Sequence, residues 1–182
     1  MKASKNRDEL CYPFIYETSN LCDYEAITDE LCSTLGYVHT VAGEGDDDML
    51  SDICRDMEVL QPLCWHLNGS IRGQLAITQE NVSWVLSRIN HYRDQLEGIE
   101  RGFFLPRGPA PVPQLNMARS GAKKAIRAMV RVEQEGIDVP EILGRLANAM
   151  CNLFFFMTLA IKQRTKTPLI SFESKSYRKA DK

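Results

Sequence analysis

The sequence predicts an all-α protein, an antiparallel bundle of five helices. Three observations carry this. Apolar residues recur at three- and four-residue steps in five separate stretches. The links between stretches are short and hold the Gly, Pro and acidic residues that stop and start helices. No stretch reads convincingly as a sheet strand, so helices joined by short links must pack as an antiparallel bundle.

The first helix is expected after Asp23 and to about Val41, with Tyr24, Ile27, Leu31, Leu35 and Val38 as its buried line. Gly43–Asp48 ends it and places acidic residues at the next N-terminus, where the helix dipole favours them. Helix two reads from about Met49 to Asn68 on Leu50, Ile53, Met57, Leu60, Cys64 and Leu67, with a kink expected at Pro62. Thr78 is a good N-cap for helix three, Gln79 to about Leu96, whose line is Val82, Leu86, Ile89 and Leu96. Helix four follows the Pro-rich turn after Phe103–Phe104 and closes at Gly136. Pro140 opens helix five, lined by Leu143, Leu146, Met150, Leu153 and Met157. The chain divides into an N-terminal segment (1–22), a bundle (23–163) and a basic tail (164–182), mobile or docked on a neighbouring subunit.

A length of 182 residues suits one domain. A formal net charge of -2 argues against broad affinity for nucleic acid or anionic membranes, so any polyanion site must be local. The six cysteines form no CxxC pair, and His39, His66 and His91 lack ligand spacing, so no metal site is expected. Met1–Leu10 is polar, and the apolar run Leu153–Ile161 is too short to cross a bilayer. A cytosolic protein with reduced thiols is the expectation.

Helix four carries the chemistry. Leu115, Ala118, Ala122, Ala125 and Met129 make a narrow apolar stripe, and Arg119, Lys123, Arg127 and Arg131 make a cationic row beside it. Such a row is ordinarily a solvated face. Here the alanines let another helix approach closely, which leaves the row at a packed seam. A ferritin-like di-iron bundle would need Glu-x-x-His pairs, which this chain does not have.

Seven pieces, in order, resemble the PduO-type ATP:cob(I)alamin adenosyltransferases. They are EAITDELCSTLG (25–36), ICRDM (53–57), ITQENV (77–82), INHYRDQL (89–96), FFLPRG (103–108), LNMARSGAKKAIR (115–127) and LANAMCNLFF (146–155). The resemblance implies a trimeric five-helix bundle, with cobalamin, ATP and Mg as cofactors. It implies partners too: further copies of the chain, and a cob(II)alamin reductase or adenosylcobalamin-dependent enzyme. It implies that Asp29 pairs with Arg119, that Lys123 contacts ATP phosphates with Arg127 beside it, and that Asn148 binds ATP. Phe103, with Phe104 next to it, would lie near the corrinoid.

The chain departs from the family pattern in several places. The Gly-rich N-terminal loop that wraps triphosphate has no match in Met1–Cys22. Ile126 stands for a Glu, Lys123 for an Arg, Ala149 and Asn152 for an Arg and an Asp, and Arg107 for a turn glycine. The implied outcome is weak ATP binding with slow transfer. Two alternatives stay open: a non-catalytic corrinoid or nucleotide binder acting as carrier or scaffold, and a helical interaction module.

Overall fold

The first three helices begin where a side chain satisfies free amides of the first turn, and the last two follow prolines. Ser19 accepts from the Leu21 amide and starts α1 (Asn20–Gly43), about one turn earlier than apolar spacing alone predicts. Asp47 accepts from the Met49 amide at 2.8 Å and starts α2 (Asp48–Gly69). Thr78 and Asn81 form a reciprocal capping box on α3 (Gln79–Arg93). α4 (Val112–Gln134) follows the Pro-rich turn and ends at Gly136, whose φ of 83° is the left-handed value that glycine adopts freely. α5 (Glu141–Arg164) follows Pro140, and a single 3-10 turn, Arg7–Glu9, precedes α1. This computed structural model describes residues 3–98 and 102–176.

Successive helices alternate in direction. α1 packs on α2 and α4, α4 on α5, and α5 on α3, while side chains tie α3 back to α2. The ring order is therefore α1, α2, α3, α5, α4, with α3 and α5 side by side in parallel. Ion pairs and hydrogen bonds fix the ends: Arg131 Nε to Asn20 Oδ1 at 3.1 Å, Arg164 Nε to Asp47 Oδ2 at 2.7 Å, and the Gln163 side chain to the Gln95 carbonyl at 2.8 Å. α5 is long and apolar enough to cross a membrane by length and composition, yet most of it is buried and it supplies Leu143, Leu146, Met150, Phe154 and Met157 to the core.

Two expectations change, the phase of α3 and the docking of the tail. Leu86 is 46% exposed, and the inward line of α3 is Val82, Val85, Ile89 and Tyr92, a phase set by where α5 lies. α2 runs unbroken through Pro62, which sits on the exposed face where the carbonyl it orphans can reach water. The tail, as far as it is described, docks on its own chain. After a positive φ at Lys166, Leu105 N donates to Ile170 O at 2.9 Å and Phe172 N donates to Phe103 O at 2.8 Å. This bridge pins the loop before α4; residues 177–182 of the predicted tail lie outside the described residues.

Candidate functional site

The loop pinned by the tail separates two cavities. The larger, about 550 Å³, is an open groove along α1 and the first half of α4, lined by Glu30, Thr34, Met117, Ser120, Lys123 and Lys124 among others. The smaller, about 180 Å³, lies behind the loop between α4, α5 and the tail, lined by Phe103, Arg107, Phe155, Thr158, Lys162 and Leu169 among others. Phe104, Pro106, Asn116 and Arg119 line both. They form the wall between the two spaces.

The small stripe of α4 explains how this wall is held. Leu115, Ala118, Gly121, Ala122, Ala125 and Ala128 are all buried. Gly121 lets α1 come close, since a Cβ there would stand 3.1 Å from Leu31 Cδ1. Arg119 is half-buried, with its guanidinium 4.7 Å from the Phe155 ring centroid, a cation–π contact that fixes the head without neutralising it.

Charge is distributed unevenly across the wall. In the groove, Lys124 Nζ pairs with Glu30 at 3.2 Å while Lys123 is exposed. Among the described residues the small cavity is lined by Arg107, Arg119 and Lys162 and by no carboxylate. Lys162 is only 5% exposed, and burial lowers its pKa below the ordinary lysine value.

The structure brings together Arg119, Lys123, Phe103 and Phe104 from the predicted set. It leaves three apart. The ion pair expected between Asp29 and Arg119 does not form within the chain: no pair joins them, and Asp29 is exposed. The reason is helix phase. Glu30 and Leu31 face α4, whereas Cys32 and Gly36 meet Gln61 of α2, and Asp29 lies on that side. Arg127 is exposed beyond both cavities. Asn148 lines a different cavity with Ile126, Val139 and Gly144, and its side-chain amide donates to its own helix at Gly144 O, 2.8 Å away. Arg119 meets Phe155 and Ile126 meets Asn148, so the two levels are about 10 Å apart along α4. The inward position beside Asn148 is Ala147, which has no amide.

The N-terminal segment, as far as it is described, does not reach Arg119 or Lys123. Arg72 holds it at the other end of the bundle, donating to Glu17 at 2.8 Å and Glu25 at 2.6 Å and standing 3.9 Å over the Phe14 ring. Ser19 donates to Glu135 at 2.6 Å. Sequence reasoning missed Asn116, Lys124, Phe155 and Lys162. Lys162 had a signal: it is a lone charge at the end of the otherwise apolar α5 run.

Fold and site together define a helical bundle whose two neighbouring spaces, one open and cationic, the other aromatic and cationic, meet at a common wall. The chain belongs to the cobalamin adenosyltransferase family, whose model matches residues 16–161. The fold is shared with solved PduO-type ATP:corrinoid adenosyltransferases from Lactobacillus reuteri. One variant, complexed with ATP, superposes with a TM-score of 0.75 at 18% identity, covering 87% of this chain and 90% of that one. Another, complexed with cobalamin and ATP, gives 0.74 at 18%, covering 87% and 89%. A third, also with cobalamin and ATP, gives 0.74 at 19%, covering 86% of each. No curated protein matches the chain.

Proposed function

We propose that this chain transfers the 5′-deoxyadenosyl group of ATP to the cobalt of a reduced corrinoid. In that reaction cob(I) attacks the ribose C5′, the C–O bond breaks, and its electron pair leaves with triphosphate. One observation carries the reading: Phe104, Pro106, Asn116 and Arg119 line both cavities, so a ligand in the groove and one whose edge enters the small cavity would meet at that wall. Transfer between two large substrates needs such a meeting point. Arg119 and Lys123 supply cations for the departing triphosphate, with Mg²⁺ accompanying ATP. Phe103, 67% exposed on the pinned loop, and Phe104 offer an apolar face against a corrin ring. Such a face disfavours axial water. Asn148 stays outside this reading.

Asp29 is exposed, Arg119 is half-buried, and the two do not meet within one chain. A homotrimer, in which Asp29 of one copy faces Arg119 of the next, would complete the site. The reduced corrinoid must come from a one-electron reductase, and the product suits an adenosylcobalamin-dependent enzyme. The N-terminal segment, held by Arg72 far from Lys123, favours slow transfer with weak ATP binding. The test is anaerobic: cob(I)alamin, ATP and Mg²⁺ are mixed with the protein, and the light-sensitive spectrum of adenosylcobalamin is followed. Product above the protein-free rate supports the reading. Full binding of both ligands with no product would make the chain a carrier.

A further inference from the structure

The small cavity is too small for a corrinoid and wrongly charged for an apolar filler. At about 180 Å³ it falls below the roughly 300–1,000 Å³ of pockets that enclose a whole ligand. It takes a substituent. Its inner end is Lys162, 95% buried, whose Cε lies 3.3 Å from where a Cβ at Gly108 would stand. That contact places the amino end of the side chain against the loop that forms the cavity's front. No ion pair or hydrogen bond of the Lys162 amine forms among the described residues, and no carboxylate lines the space. Arg107 and Arg119 add two more cations, while Phe103, Phe104, Phe155, Leu159 and Leu169 keep the surroundings apolar. The stem of Lys162 is buried, its amine is left facing the cavity without a counter-charge among the described residues, and fold stability gives no reason to keep a cation here.

We infer that this cavity recognises an oxyanion carried on the rim of the corrinoid, a carboxylate or phosphodiester, held by Lys162 with Arg107 and Arg119. The inference rests on the corrinoid reading above and adds specificity to it: among corrinoids, those bearing an anionic rim group are preferred over those whose rim is fully amidated. A neutral propionamide would leave Lys162 unpaired and would fill the space without paying back its desolvation.

Three corrinoids separate the cases. Cob(II)yric acid carries one rim carboxylate, cobalamin carries a phosphodiester, and cob(II)inamide carries neither. Anaerobic spectroscopic titration of each into the full chain gives affinities without turnover. At least one anionic corrinoid is expected to bind about ten- to a hundredfold more tightly than cob(II)inamide, the range of a charge-assisted hydrogen bond. In Lys162→Met, which keeps the volume and should melt no lower than the parent, that ratio falls towards one while cob(II)inamide binding is unchanged. Which of the two anionic corrinoids is preferred identifies the group. Equal affinity for all three in the parent, or a preference that survives in Lys162→Met, overturns the inference and leaves the corrinoid reading standing. Failure of all three to bind removes both.

Discussion

Arg88 on α3 and Lys162 on α5 are both drawn away from water, and their surroundings could hardly differ more. Arg88 Nε lies 2.7 Å from buried Asp56 Oδ1, although off the hydrogen-bonding direction, and Tyr92 donates to the other carboxylate oxygen at 2.6 Å. Burial raises the Asp56 pKa against the lowering effect of Tyr92 and Arg88. Every charge in that cluster has a partner in the chain, so the cluster serves the α2–α3 seam. Among the described residues, no carboxylate lines the cavity that Lys162 and Arg119 share. That contrast is why the small cavity, rather than the α2–α3 seam, is the side we propose as a ligand site.

The largest expected effect is on the paired side. Asp56→Ala strands Arg88 and the Tyr92 hydroxyl and should destabilise the fold by about 3–5 kcal/mol in urea unfolding. Corrinoid affinity per folded molecule should not change. Arg119→Met should do the reverse. With no ion pair to break in the chain, it should shift stability by less than about 1 kcal/mol, while transfer falls by about a hundredfold.

The bundle itself was legible because its signals are local. The α4 stripe, Thr78 as a cap and Gly136 as a stop depend on residues within a turn or two, and each stands as expected. The site was legible only where the chain places its parts on one element or the adjoining loop, as with Phe103, Phe104, Arg119 and Lys123. Asp29 and Asn148 stand apart from that wall within the chain for a different reason. Their placement depends on helix phase and inter-helix register, and a shift of one residue turns a side chain by about 100°. Lys162 depends on how the tail folds back, which no periodicity encodes.

Two smaller effects sharpen the comparison. Gly121→Ala pushes a Cβ to 3.1 Å from Leu31 Cδ1, so the α1–α4 seam must open slightly. A loss of about 1–2 kcal/mol is expected in thermal melts, with a wider groove beside Lys123. Lys162→Met should gain about 1 kcal/mol near neutral pH, because it removes a charge that burial disfavours. The sign with pH follows from linkage. Lys162 has a lowered pKa in the fold, so between that value and the ordinary one near 10.5 the unfolded chain binds more protons. Parent stability therefore rises with pH across that window relative to the variant, and the gap should close in alkaline melts. A gap that widened instead would mean that Lys162 is paired.

The most direct measurement is the absorbance and electron spin resonance of cob(II)alamin bound to the chain with ATP and Mg²⁺, compared with Phe103→Ala and Arg119→Met. The parent should strip the lower axial ligand and give the base-off signal. Phe103→Ala should lose most of that signal and Arg119→Met should lose ATP's effect on it, with melting temperatures close to the parent's. An unchanged base-on spectrum in the parent at saturating ATP would contradict the assignment of the shared wall as the meeting point of the two substrates.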